Sequence, residues 1–446
     1  MNFIEKFREA VKIPTYWPPA AQKEDIAGAE AVLTSFQQFL TNSFPTFHKT
    51  AECWVLSPYS VIYHLPGKSK TDEKSKAVLL LAHYDVVPCE TEKWSVNPFG
   101  AEIKDNYIYG RGTLDMKSIL ISILEAAENL CSEGWKPASD IWFAFGGDEE
   151  RTGLQGAIKA NRWFAERGLH FDWILDEGTP IAKDQIKGVN TPLALISIEE
   201  KGYLSLKLSV KQMPGHASQP PKIQAAAVLG QALTRIAKKH FPFRLCPTVE
   251  SFFKELSPHI HGIQGFAMRH CRALGNLFFK LAASSPAIAA MLRTTIAMTQ
   301  LEGSNADNIL PSEVCAIINL RLLKPWTIET AAAYVKKAIN DERVNISVHG
   351  LATDPVAANG SFREKGWQEL EKAINETYPG IPVLPFIMIA TTDSRHYEKI
   401  ADKIYRFGPH ILDPKDMGGV HGHDERISIE NLNRGLTFYS TLMRLL

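Results

Sequence analysis

His83, Asp85, Asp115, Glu149, Glu150 and Asp176 stand where hydrophobic runs give out, in LLLAHYDVVP, YIYGRGTLDMKS, IWFAFGGDEE and WILDEG. A run such as Val78 to Ala82 reads as a strand buried on both faces, and open α/β sheets gather ligands at the carboxyl ends of such strands. Nitrogen and oxygen donors converging there describe a divalent metal site.

His83 and Asp85 are two apart at a strand end, so their side chains leave the same face. Asp85 can then accept the ring N–H of His83 and leave the other nitrogen facing a metal. By itself H-x-D more often marks a core histidine beside a turn aspartate. The run G-R-G-T-L-D superficially resembles a dinucleotide fingerprint, but Asp115 stands in place of the third glycine. A carboxylate there repels phosphate and suits a cation. Glu149 and Glu150 are adjacent and diverge, so one can bind metal while the other faces the attacking water. The plainer alternative is that the pair opens the next helix, where acids suit the macrodipole. In LDEG, Asp176 is chosen and Glu177 competes; in GGVHGHDE, His421 is chosen over His423.

These residues need a scaffold that aligns strand ends. Over the first 200 or so residues, strand-like runs (59-64, 77-83, 140-146, 172-176, 193-198) alternate with amphipathic stretches (Asp25 to Leu40, Lys117 to Leu130, Leu154 to Glu166). That alternation predicts an α/β fold with a mostly parallel sheet flanked by helices. The texture changes at Ile198, where YLSLKLSV alternates with the period of a strand that has one wet face. Further strands (Val314 to Leu322, Val344 to Val348) and helices (Ile223 to Lys239, Ile328 to Ile339) make this an inserted α+β domain. The expected division is 1-198 with 351-446 for the first domain and 199-350 for the second, with a long apolar insertion at about 241-300. After Gly350 the α/β texture returns, with a helix near 362-377, strands VLPFIMI and KIYRFG, and a closing helix at 428-445.

The 446 residues carry 49 basic and 49 acidic side chains, which removes any electrostatic case for nucleic acid or an anionic membrane as partner. Six cysteines without a C-x-x-C pair read as reduced and mostly buried, and the compartment as reducing. MNFIEKFREAV lacks the apolar core of a secretory signal and no segment is long and apolar enough to span a bilayer, so a cytoplasmic location is expected. No G-x-S-x-G elbow or Walker loop is present.

The series LLAHYDVVP, GRGTLDMK, GDEE, LDEG and GVHG, in that order, resembles the dinuclear zinc peptidase and amidohydrolase family of aminoacylase, carboxypeptidase G, carnosinase and succinyl-diaminopimelate desuccinylase. The spellings EKG, PGHAS and TDSRHY look closest to the branch of carboxypeptidase S and the hydrolases of fatty-acyl amino acids. The resemblance runs from about residue 5 to the end. It implies two zinc ions per chain, with cobalt or manganese as substitutes. By resemblance Asp115 bridges the ions, His83 and Asp176 complete one site, Glu150 and His421 complete the other, and Glu149 is the general base, with Asp85 catalytic in support of His83. The inserted block resembles the family's lid domain. There His216 of PGHAS would stabilise an oxyanion, often in a neighbouring subunit's site, which admits a homodimer through the lid. Asn308 and Arg321 would hold a substrate carboxylate, with Arg395 as a second candidate; read without the resemblance, Arg321 is a surface strand arginine. The 241-300 insertion could cover the site or take a dimer edge, and its His259, His261 and His270 are read as packing or surface residues. Gly147 stands where close relatives have histidine, with no expected disturbance of the metal site.

The expected activity is therefore hydrolysis of an amide bond next to a free carboxylate, in a peptide or an N-acyl amino acid. An aminopeptidase or dipeptidase of the same fold would need an acid in place of Arg321. A non-catalytic binding protein on this scaffold would not need an intact Glu149.

Overall fold

A computed structural model describes residues 1–18, 23–68, 77–186, 188–357 and 362–446. Eight strands form the principal sheet: β1 (Glu52–Ser57), β2 (Ser60–Leu65), β3 (Ala77–His83), β4 (Ile141–Gly146), β5 (Phe171–Ala182), β6 (Ala194–Glu200), β11 (Val383–Met388) and β12 (Ala401–Leu412), in the order β1-β2-β4-β3-β5-β12-β6-β11. Between β6 and β11 the chain builds a second sheet from β7 (Gly202–Lys211), β8 (Thr295–Glu302), β9 (Glu313–Leu322) and β10 (Asn345–Val348), in the order β8-β9-β7-β10. The four central strands β4, β3, β5 and β12 of the first sheet run parallel. An antiparallel hairpin closes one end, and the β6–β11 pair, reversed against β12, closes the other.

The alternation of β3 explains its uniform apolarity. Val78, Leu80 and Ala82 join one core with helices Phe3–Lys12, Lys117–Ser132 and Ile429–Leu445, while Leu79 and Leu81 join Ala160, Phe164 and Trp142 in a core on the other face. Successive side chains face opposite sides, so a strand covered twice has no polar position. Its first polar residue, His83, comes where the cover ends, and the strand spans the run expected from sequence.

In the second sheet Leu204, Leu206, Leu208 and Val210 of β7 pack on helices Ala225–Lys238 and Ile328–Ile339. Truncating one of these leucines to alanine costs about 2–5 kcal/mol. The other face is drier than its polar residues suggest: Ser205 and Ser209 are each 5% exposed, and Ser205 Oγ accepts a hydrogen bond from Asn319 Nδ2 at 3.1 Å. The apolar insertion is helical only from Pro247 to Leu292; from Thr295 it is strand β8. Its helices pack on the edge of the first sheet rather than on the second, through Phe252, Phe253 and Phe278 against Leu195, Leu384 and Ile387. No helix among the described residues is long and apolar enough to cross a membrane.

Candidate metal centre

The donors gather around the carboxyl ends of the parallel strands. β3 ends on His83, the turn after β4 carries Glu149 and Glu150, β5 carries Glu177, the turn before helix Lys117–Ser132 carries Asp115, and the loop before Arg426 carries His421. Ligand atoms of His83, Glu149 and Glu177 lie within 4.8 Å of one another, as do those of Asp115, Glu150 and His421. Asp115 joins the two groups. Its Oδ1 is 3.1 Å from His83 Nε2 and its Oδ2 is 2.9 Å from His421 Nε2. His421 Nε2 also lies 3.2 Å from Glu150 Oε1, and His83 Nε2 lies 3.3 Å from Glu177 Oε1.

A buried frame holds these donors. His83 Nδ1 lies 3.0 Å from the Asp85 carbonyl oxygen, which orients Nε2 toward Asp115. The carboxylate of Asp85, fully buried, accepts the backbone N–H of Glu149 at 3.1 Å and of Glu150 at 3.0 Å, fixing the acidic pair. Glu425 plays the same part for Asp115. It accepts the N–H groups of Gly112, Leu114 and Asp115 at 3.1, 2.7 and 3.2 Å and pairs with the buried Arg111 at 2.7 Å. At Gly147 an added Cβ would stand 2.6 Å from the Tyr84 ring, so Tyr84 fills the space a side chain would need.

Four carboxylates face two imidazoles in this cluster. Burial pushes Glu177 up to about 7, with the charge of Asp115 adding to it. Burial likewise raises Glu149 well above the usual range, against the pull of His83. Burial alone would raise Asp115, yet hydrogen bonds from His421 and His83 outweigh it and hold its carboxyl below the usual range. Hydrogen bonds to Asp115 and Glu150 push His421 up to about 10. This oxygen-rich donor set with two imidazoles fits a divalent metal ion.

The family model "Peptidase family M20/M25/M40" matches residues 79–445. The chain belongs to this family. A probable carboxypeptidase S-like protein of Dictyostelium discoideum is 35% identical over 93% of this chain and 80% of its own. An N-fatty-acyl-amino acid synthase/hydrolase of Xenopus tropicalis is 32% identical over 99% of this chain and 85% of its own. In fold, the chain is similar to an M20 family metallo-carboxypeptidase from Sulfolobus solfataricus (TM-score 0.74, 17% identity, 100% and 99% of the two chains) and to human carnosine dipeptidase 1 (TM-score 0.71, 15% identity, 99% and 95%). As an M20 member the protein is a metallohydrolase of peptide or other amide bonds, and the family implies a divalent metal.

Against this M20 frame, His83, Asp115, Glu149, Glu150 and His421 come together as the sequence suggested, whereas Asp176 does not join them. Successive residues of a strand face opposite sides, and the side that reaches His83 belongs to Glu177. Both oxygens of Asp176 are taken by backbone N–H groups, Oδ1 by Glu177 at 2.8 Å and Oδ2 by Ser394 at 2.7 Å. Asp85 supports His83 from a fully buried position: its carbonyl oxygen lies 3.0 Å and its carboxylate 3.4 Å from His83 Nδ1, while the same carboxylate accepts the N–H groups of Glu149 and Glu150. His216 and Asn308 are exposed and adjacent, joined by a bond from the Ala217 N–H to the Asn308 carbonyl at 3.0 Å, and no hydrogen bond or ion pair among the described residues links either to the cluster. Arg321 is partly buried, its guanidinium 4.8 Å over the Tyr203 ring, with Nη1 buried and lacking a hydrogen-bond partner among the described residues. Arg395 donates to the carbonyls of Thr392 (2.8 Å) and Thr152 (3.2 Å), and its Nη1 lies 3.7 Å from Glu149 Oε1. Arg395 Nε is likewise buried without a hydrogen-bond partner among the described residues, but both its terminal nitrogens are committed to backbone carbonyls, whereas Arg321 donates only through Nε, to Asn319 Oδ1 at 3.3 Å, and so has the freer fork. The anchors Glu425 and Arg111 were not singled out from sequence; the acid two residues beyond His423 was the available signal.

Proposed function

We propose that the protein is a dinuclear zinc hydrolase cleaving an amide bond whose amine side carries a free carboxylate, as in peptides cut from the C-terminus or N-acyl amino acids. The observation that carries this reading is Asp115 turning one oxygen toward each imidazole. His83, Glu177 and Asp115 would hold one ion and Asp115, Glu150 and His421 the other. Ions bound there supply Lewis acidity, polarising a carbonyl and acidifying water. Glu149, with Arg395 Nη1 3.7 Å away, takes the proton of the attacking water and delivers it to the leaving amine. Arg321, whose Nη1 is buried and unpartnered among the described residues, binds the substrate carboxylate through its planar fork, with Asn308 in support. His216, exposed and with no hydrogen bond or ion pair to the cluster among the described residues, serves as oxyanion donor to the site of a second copy. The curated relatives named for fatty-acyl amino acids favour an acyl amino acid as the substrate class. Six free cysteines support a reducing, cytoplasmic compartment.

The test compares an N-acyl amino acid with its amide on zinc-loaded protein. The free acid should be preferred by at least about a hundredfold in kcat/KM, because the amide leaves a desolvated guanidinium without its partner. Arg321→Ala should treat the two nearly alike. Equal cleavage by the wild type would favour an aminopeptidase or dipeptidase activity instead.

A further inference from the structure

One buried segment connects the crossing between the two sheets to both halves of the metal centre. The chain leaves the first sheet at Glu200 and returns at Val356, and the two crossings pair through Glu200–Val356 bonds of 3.1 and 3.0 Å and Tyr203–Thr353 bonds of 3.0 and 2.8 Å. They approach so closely that a Cβ at Gly202 would stand 2.5 Å from the Thr353 carbonyl oxygen. From this crossing the carboxylate of Glu200, 1% exposed, reaches Thr392: its Oε1 accepts the Thr392 N–H at 3.2 Å and its Oε2 accepts the Thr392 hydroxyl at 3.1 Å. Arg406, fully buried, forms an ion pair with the same Oε2 at 2.7 Å. That pair already answers the charge of Glu200, so the two bonds to Thr392 fix geometry rather than neutralise charge.

Two routes run on from Thr392. In one, the hydroxyls of Thr392 and Ser394 lie 2.6 Å apart, the Ser394 N–H donates to Asp176 Oδ2 at 2.7 Å, and Asp176 Oδ1 accepts the N–H of Glu177 at 2.8 Å. In the other, the Thr392 carbonyl accepts Arg395 Nη1 at 2.8 Å, and that nitrogen faces Glu149 at 3.7 Å.

We propose that Thr392, clamped by Glu200, is a positioning residue that sets the placement of Glu177 and Glu149 from the crossing between the sheets. The inference rests on the proposed function for its substrate and for the roles of Glu177 and Glu149. Residues that orient ligands without touching the metal commonly govern activity by about 10- to 100-fold.

Thr392→Val removes the hydroxyl and keeps the shape; Thr392→Ser restores it. Each is compared with wild type by kcat and KM on an N-acyl amino acid, by the visible spectrum of the cobalt-loaded protein, and by unfolding midpoint. Thr392→Val should lower kcat about 10- to 100-fold with KM within about threefold, and should change the cobalt spectrum, while the midpoint moves by no more than about five degrees. Thr392→Ser should return both readouts to wild type. A Thr392→Val protein with wild-type kcat and spectrum, or a serine variant as impaired as the valine one, overturns the proposal. If Thr392→Val does not fold, Ser394→Ala removes the hydroxyl that meets Thr392 in the first route, and a folded Ser394→Ala protein with unchanged spectrum and kcat overturns the placement of Glu177 through Thr392. If wild type cleaves no N-acyl amino acid, the proposed function fails and the cobalt spectrum alone decides the role of Thr392.

Discussion

Glu177 Oε1 lies 3.3 Å from His83 Nε2, while Asp176 beside it in the chain faces away and accepts two backbone N–H groups. The two carboxylates therefore have separable roles. Glu177→Ala should lose metal with little change in the stability of the metal-free protein. Asp176→Ala should destabilise that metal-free protein by about 1–3 kcal/mol, because two buried donors lose their acceptor. Elemental analysis beside thermal unfolding distinguishes them, and the assignment is reversed if Asp176→Ala alone empties the site.

Glu425 and Arg111 form a pair at 2.7 Å with both side chains nearly unexposed. Glu425→Ala leaves the guanidinium buried without its partner and frees the turn that carries Asp115. A loss of about 3–5 kcal/mol is expected in chemical denaturation. A loss under 1 kcal/mol would show that the turn is held by other means.

Lys201 is 1% exposed and donates to the carbonyls of Ala290 and Arg293 at 2.9 Å each. Burial, with Arg321 and Arg293 nearby, lowers it from 10.5 to about 7. Between those pH values the unfolded chain holds a proton that the folded chain lacks, so this residue's contribution to stability rises with pH across the window. The slope is at most about 1.4 kcal/mol per pH unit. Denaturant titrations from pH 7 to 9.5 should show Lys201→Met with a flatter profile than wild type; parallel profiles would contradict the assignment.

If His216 acts in a second copy's site, two inactive variants should complement each other. Mixed and re-associated, His216→Ala and Glu149→Gln should recover about a quarter of wild-type activity, since half the dimers are mixed and each holds one complete site. A mixture as inactive as its parts would place His216 in its own chain's site or outside catalysis.

Much of the fold was legible because it obeys local rules. The apolar run of β3 ends in histidine where its cover ends, and the helix Ile328–Ile339 follows its periodicity to the residue. Five donors of the cluster were legible for the same reason, each closing an apolar run or a glycine turn. Asp176 and Glu177 were not separable, because both lie within β5, whose alternation gives one to each face, and which face meets His83 is decided by the packing of distant strands. Glu425 was hidden by distance, 310 residues along the chain from the N–H of Asp115 that it holds. The insertion's helices carry no local sign of which sheet they cover, and that is decided by Phe252 meeting Phe386 at 5.2 Å between ring centroids.

In the proposed mechanism Glu149 moves the proton while its neighbours hold the metal. Metal content and turnover measured on one preparation of Glu149→Gln test it most directly. Glu149→Gln should carry a full complement of metal with a kcat lower by about 10²- to 10⁴-fold, since a proton acceptor is removed and no ligand is. A variant that loses its metal, or one that keeps near wild-type turnover, would contradict it.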